Sequence, residues 1–255
     1  MITREILIPH HGRTVHGVFR LPEGQGPFPA VLFSHGYGGS LRDFDGDAAY
    51  LAERGVASLA YDFCGGGLRD TSGFPTASMT LFTEKEDALA ALERLRAMEE
   101  VDTRNVFLFG GSLGGLVTVM AAAERPAGIP GLILLFPALC VPDDWRRRFP
   151  NPGAVPETID FWGMTLGRPF VTTLQDLDIF SALPSLAMPT LLFHGDRDPV
   201  VPLACSERAV KLMPHASLTV FPGEVHGFSE AGCRQVMEQT AAFVAAHVRG
   251  RADPE

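Results

Sequence analysis

The sequence has few cysteines, few tyrosines and tryptophans, few charges and no unbroken apolar stretch of membrane-spanning character. Its 255 residues include 4 Cys, 3 Tyr and 2 Trp, and 20% are charged. Cys64, Cys140, Cys205 and Cys233 lie far apart, with no CxxC pair and no histidine at zinc-finger spacing. That spacing excludes a disulfide framework and a cysteine-based structural metal site. Basic residues number 21 against 30 acidic ones, a net charge of -9. Nucleic acid and anionic membrane surfaces both need a cationic face, so neither is expected as a partner. Arg4 and Glu5 stand where a signal peptide would begin its apolar run, so a cytoplasmic protein is expected. The longest uncharged run, residues 106–123, is long enough to cross a bilayer but carries four glycines and Ser112 within it. A strand, a sharp turn and a buried helix describe it better.

What the chain does have is apolar content (46%) together with 27 Gly and 20 Pro. That is ample for a core, and breakers at well above the average of about 12% suit many tight strand-to-helix turns rather than a helical bundle. Residues 2–7 and 14–19 alternate as strands do, around a turn at His10-His11-Gly12-Arg13. Beyond a Pro/Gly linker at 22–29, strand-length apolar runs fall at 30–33, 56–60, 106–109, 132–136, 190–193 and 217–221. Helical patterns fall at 46–53, 84–98, 113–124, 206–213 and 231–248. In the second of these, Thr83 with Glu86 reads as a capping box, and Leu89, Leu92 and Leu95 share one face. Strands alternating with helices predict an α/β fold, a mostly parallel central sheet flanked by helices. The rhythm breaks between 136 and 190, where the chain is rich in proline and holds Trp145, Trp162 and the run Arg146-Arg147-Arg148. So long a structureless loop is improbable in a compact domain. The expected organisation is a core of residues 1–137 and 188–255 with an inserted cap at 138–187.

Chemistry concentrates in three loops. Phe107-Leu108-Phe109-Gly110-Gly111-Ser112-Leu113-Gly114-Gly115 reads as strand, G-x-S-x-G turn and helix start. A serine on so tight a turn forces the residues two before and two after it together, hence glycine at both. A serine hydroxyl needs a base, and the base an orienting acid. The strand at 190–193 runs into His194-Gly195-Asp196-Arg197-Asp198-Pro199, and the strand at 217–221 into Pro222-Gly223-Glu224-Val225-His226. Serine, acid and histidine thus each follow the C-terminal end of a strand, the edge where open parallel sheets bind ligands. Asp198 is preferred to Asp196 because Pro199 holds it extended, further out on the loop, whereas Asp196 is expected to bond its own turn. His35 and His194 end strands at the same edge but run straight into glycine turns, and are read as structural. Ser34-His35-Gly36-Tyr37-Gly38-Gly39 follows the first core strand, so the Tyr37 and Leu113 backbone N–H groups are the candidate oxyanion donors. Trp145 and Trp162 are candidates for substrate contact, and the triple arginine reads as a solvated face.

On these residues the chain resembles the α/β-hydrolase serine esterases over nearly its whole length from about Ala30. It is most similar to small bacterial carboxylesterases and cinnamoyl (feruloyl) esterases, through HGYGG at 35–39, Asp62-Phe63 and HGDRDPVVP at 194–202. The resemblance implies Ser112 as nucleophile, Asp198 as acid, His226 as base, and Tyr37 and Leu113 at the oxyanion hole. It implies neither cofactor nor metal. Two positions depart from it: Gly111 where the relatives carry histidine, and Gly65-Gly66-Gly67 where they carry Gly-His-Gly. The expected activity is hydrolysis of small-molecule carboxylic esters, of short acyl or hydroxycinnamoyl groups, through an acyl-enzyme. A peptidase or amidase on the same triad, or a weakly catalytic ligand-binding protein, are the alternatives, and a homodimer stays open.

Overall fold

A computed structural model describes residues 1–250, so the last five residues of the expected core segment lie outside it. The chain begins with an antiparallel hairpin, β1 (Ile2–His10) and β2 (Arg13–Leu21), followed by β3 (Phe28–Ser34), α1 (Asp45–Ala52), β4 (Ala57–Tyr61), α2 (Leu81–Arg96) and β5 (Val101–Gly111). Next come α3 (Leu113–Glu124), β6 (Leu132–Leu135), α4 (Val141–Arg148), β7 (Thr158–Phe161), β8 (Met164–Gly167), α5 (Arg168–Leu174) and α6 (Ile179–Ala182). The chain closes with β9 (Thr190–Gly195), α7 (Leu203–Leu212), β10 (Ala216–Phe221) and α8 (Glu230–His247). Eight strands form one sheet in the order β1-β2-β4-β3-β5-β6-β9-β10; β2 meets β4 antiparallel, and from β4 to β10 every pairing is parallel.

Strand periodicity divides the core in two. Ala30, Leu32, Val106, Leu108, Leu132 and Leu134 point to the face covered by α2 and α3. Val31, Phe33, Phe107, Phe109 and Ile133 point to the face covered by α1 and α8. Because both faces are covered, these strands read as continuous apolar runs. Phe107 and Phe109 are fully buried, each contributing about 2–3 kcal/mol relative to an exposed ring.

Two helix starts differ from the sequence reading by three residues, and one of them is α7, which begins at Leu203 rather than 206. α2 begins three residues earlier than expected, with Thr80 as N-cap accepting from Thr83 N–H at 3.1 Å while the Thr83 hydroxyl accepts from Thr80 N–H at 2.9 Å. Thr83 therefore closes the capping box from inside the helix, and Glu84 is left buried. Between β6 and β9 the chain forms α4, the two-stranded sheet of β7 and β8, α5 and α6, none of which pairs into the main sheet. Among the described residues no helix is long and apolar enough to cross a membrane.

Candidate active site

Ser112 sits between β5 and α3 at φ 53°, in the left-handed region that a non-glycine residue rarely adopts. The surrounding backbone enforces this. A side chain on Gly110 would collide with the Gly114 carbonyl, and one on Gly114 with the carbonyls of Ser34 and His35. Gly111, by contrast, has open space around its Cα, so the histidine of the resembling enzymes is not excluded there by sterics. The Ser112 N–H donates to the Leu135 carbonyl (2.9 Å) and its carbonyl accepts from Ala138 N–H (2.9 Å), tying the turn to the strand beside it.

Three loops from separate strands meet at this serine. His226 Nε2 lies 3.0 Å from Ser112 Oγ, and His226 Nδ1 lies 2.7 Å from Asp198 Oδ2. A carboxylate only accepts, so Nδ1 carries the proton and Nε2 is free to accept from the serine hydroxyl. The Asp198 side chain is fully buried. Its Oδ1 accepts from Val200 N–H (2.8 Å) and Val201 N–H (2.9 Å), which compensates a buried charge. His194 stands behind it with Nε2 3.4 Å from Asp198 Oδ2 and 2.9 Å from the Val201 carbonyl, while its Nδ1 accepts from the Ser206 hydroxyl (2.7 Å). Burial pushes the His194 pKa down, so it serves as a neutral donor. Asp196 behaves differently from the sequence expectation: it accepts from Gly223 N–H (2.6 Å) and so joins its loop to the end of β10 rather than closing its own turn.

Phe136, which the sequence reading passed over, packs on the His226 ring at 4.3 Å between centroids. It too has positive φ, 37°, at the end of β6. Nothing in its sequence context marks it; the preceding apolar strand hides it.

The loop after β3 lies against the serine: a Cβ on Gly36 would be 3.2 Å from Ser112 Cβ. His35 is buried, donating from Nδ1 to the Gly36 carbonyl (2.8 Å) and accepting Phe63 N–H at Nε2 (3.1 Å), so it fixes the ends of β3 and β4 to one another. Gly38 N–H donates to Gly66 (3.1 Å) and Leu68 N–H to Gly38 (3.2 Å). Among the described residues, neither Tyr37 N–H nor Leu113 N–H donates to a backbone carbonyl. The Tyr37 hydroxyl donates to the Phe161 carbonyl at 2.8 Å, and its ring meets Phe161 and Trp162 edge-on.

A cavity of about 220 Å³ opens from Ser112, lined by Tyr37, Leu113, Trp145, Phe161, Trp162 and Phe170 among others. Trp145 is 5% exposed and packs on Phe149, Phe161 and Phe170; Trp162, at 62% exposed, stacks on Phe161 at the rim. The three arginines of α4 do not form one solvated face. Arg146 donates to the carbonyls of Leu174, Gln175 and Leu177, Arg147 pairs with Asp144, and Arg148 lies over Trp145 at 5.1 Å.

An eight-stranded, mostly parallel sheet with a serine on a left-handed strand-to-helix turn at its C-terminal edge defines an α/β hydrolase. The profile of the family described as "Serine aminopeptidase, S33" matches residues 25–173, and the chain belongs to that family. Esterase EstD of Thermotoga maritima is 28% identical over 71% of this chain and 49% of its own length. The non-heme haloperoxidase of Rhodococcus erythropolis is 26% identical over 84% of this chain and 91% of that protein. Among solved structures, Est1E from Butyrivibrio proteoclasticus, determined with ferulic acid bound, superposes with a TM-score of 0.87 at 26% identity, covering 95% of this chain and 99% of that one. Fold, family and esterase relatives together make the chain a carboxylic ester hydrolase.

Proposed function

We propose that the chain hydrolyses esters of short-chain or aromatic carboxylic acids through an acyl-enzyme on Ser112. Ser112 Oγ attacks the ester carbonyl carbon as its proton passes to His226 Nε2. Asp198 holds the imidazole in the productive tautomer and stabilises the imidazolium. The oxygen that becomes negative is met by the N–H groups of Tyr37 and Leu113, aided by the N-terminus of α3. His226 returns the proton to the departing alkoxide, and the alcohol leaves. Water then repeats the attack on the acyl-enzyme with His226 as base, releasing the acid and restoring Ser112.

The observation that carries this reading is the unbroken line Asp198–His226–Ser112, at 2.7 and 3.0 Å, opening into an apolar cavity. Cavity size supports the acyl choice: a dry cavity of about 150 Å³ accepts one benzene ring, so about 220 Å³ suits one ring with a short arm, or a short acyl chain. The ferulic acid bound to Est1E supports the aromatic option. Residues 138–187 act as a cap in this reading, with Trp145 as pocket wall and Trp162 at the mouth. The free Cys64, Cys140, Cys205 and Cys233 support a reducing, cytoplasmic setting.

The test combines labelling and turnover. A fluorophosphonate probe is expected to modify Ser112, and Ser112→Ala to abolish turnover of nitrophenyl esters with the fold intact. Labelling elsewhere, or wild-type turnover in the variant, overturns the mechanism. The family's description points to amide bonds as a second reading. Aminoacyl anilides assayed beside acetate, butyrate, decanoate and hydroxycinnamate esters decide between the two.

A further inference from the structure

The tip of the first hairpin brings together metal-binding side chains that do not line the cavity at Ser112. β1 ends at His10 and β2 starts at Arg13, so His11 and Gly12 form a two-residue loop with φ of 45° and 75°. Positive φ at both loop residues is the hairpin geometry that matches strand twist and favours Asn-Gly. Consecutive strand residues send side chains to opposite faces, but the left-handed backbone at His11 folds its ring against that of His10, centroids 4.2 Å apart. Opposite them, on α2, Glu86 Oε2 is 3.9 Å from His10 Nε2. One ligand atom from each of His10, His11 and Glu86 lies within 4.8 Å of the others.

One further observation points to a ligand, and another shows that the site is preorganised. His10 Nε2 is buried and has no hydrogen-bond partner, although buried polar atoms ordinarily find one. The arrangement is also held in place without an ion. Arg13 Nη2 bonds Asp87 Oδ1 (2.8 Å) and fixes the hairpin tip to α2, while Lys85 Nζ takes Glu86 Oε1 (3.1 Å) and leaves Oε2 turned towards the histidines.

We propose that His10, His11 and Glu86 bind a divalent transition-metal ion, zinc in the first instance, with water completing the coordination. Two imidazoles and one carboxylate are a borderline donor set that suits zinc rather than calcium or magnesium. Zinc bonds of about 2.0–2.1 Å put tetrahedral ligand atoms roughly 3.3–3.5 Å apart. The cluster therefore closes by on the order of 1 Å, a movement that the exposed His11 side chain can supply. Bound there, the ion staples the edge hairpin to α2 and uses no residue of the Asp198–His226–Ser112 line.

The experiment is a calorimetric titration of metal-free, full-length protein with zinc chloride, on the wild type, His11→Asn and Glu86→Gln. Asparagine suits the left-handed loop position, so His11→Asn keeps the turn while removing an imidazole. Wild type is expected to bind at a site whose affinity falls at least about tenfold in each variant. Zinc should raise the melting temperature of wild type but of neither variant. Nitrophenyl ester turnover should be equal in all three proteins without zinc, which shows that the variants are folded. Binding that persists undiminished in His11→Asn places the ion elsewhere and overturns the proposal. So does the absence of wild-type binding tighter than about 1 mM.

Discussion

In the proposed mechanism Tyr37 lends its N–H to the oxyanion, and Tyr37→Phe removes one oxygen atom from the contact between its loop and residues 138–187. The phenylalanine keeps the ring against Phe161 and Trp162 and leaves the backbone N–H in the chain, but the phenol's hydrogen bond to the Phe161 carbonyl is lost. Burial, and secondarily the nearby Glu84, hold the phenol above its ordinary pKa, so the hydroxyl donates throughout the working pH range. A neutral hydrogen bond of this kind contributes about 0.5–1.5 kcal/mol net. If that energy holds the Tyr37 N–H in place only when the oxyanion forms, kcat falls about two- to twelvefold while KM barely moves. Losing an oxyanion donor outright costs about 10²–10³, so the variant must fall well short of that. The assay is steady-state hydrolysis of nitrophenyl butyrate, paired with inhibition by a trifluoromethyl ketone, whose adduct carries the oxyanion. The ketone's affinity should drop by the same factor as kcat. Unchanged kcat with a lowered melting temperature would make the hydroxyl mere packing. A loss beyond about a hundredfold would mean the hydroxyl touches the reacting group, and the reasoning from the cap contact would be wrong.

Asp198→Asn should lower kcat by about 10³–10⁴, through the wrong imidazole tautomer and the lost charge. Asp196→Asn should keep near-wild-type turnover with a small loss of thermal stability from the Gly223 contact; the opposite ranking, by the same ester assay, would exchange their roles. Trp162→Ala, at the exposed rim, should change relative kcat/KM across acyl chains at nearly constant melting temperature. Trp145→Ala should also destabilise the fold by about 3–5 kcal/mol, measured by urea denaturation. Glu84 is buried with neither oxygen hydrogen-bonded, and burial followed by repulsion from Asp87 raises its pKa well above the ordinary value. A folded acid of raised pKa keeps its proton above the unfolded value of about 4.3, so the folded chain binds more protons and its contribution to stability falls as pH rises, by at most about 1.4 kcal/mol per pH unit. Glu84→Gln should therefore flatten the decline in melting temperature from mildly acid to alkaline pH, and parallel curves for the two proteins would refute this.

The central strands were legible because they are buried on both faces and bounded by glycine and proline; each predicted core strand overlaps an observed one, with β5 starting five residues before the expected 106. The serine turn, the acid loop and the histidine loop were legible for the same reason, since each follows an apolar strand. What remained hidden depends on contacts distant in sequence. Asp196 reaches Gly223, Arg146 reaches carbonyls on α5 and beyond, and Phe136 covers His226, and no local pattern encodes any of these. The cap resisted reading because its elements are too short for periodicity: β7 and β8 have four residues each and α6 four. The start of α2 was misplaced because Thr80 and Thr83 are both competent caps, and only tertiary packing chooses between them.

The crowding at Gly110, Gly114 and Gly115 bears on how this enzyme can change. Each lies where a single methyl group would run into backbone or, at Gly115, into Pro137. A random library should therefore recover almost no active clones at these three codons, whatever the ester used for selection. Gly111, one residue before the serine, has free space and should accept replacements. Trp145, Phe161, Trp162 and Phe170 line the cavity, so in the proposed function variation at these positions can move between acids while Ser112 stays fixed. In the proposed function, Gly110, Gly114 and Gly115 are then the fixed points of the turn, and new specificities are expected to come from changes in residues 138–187.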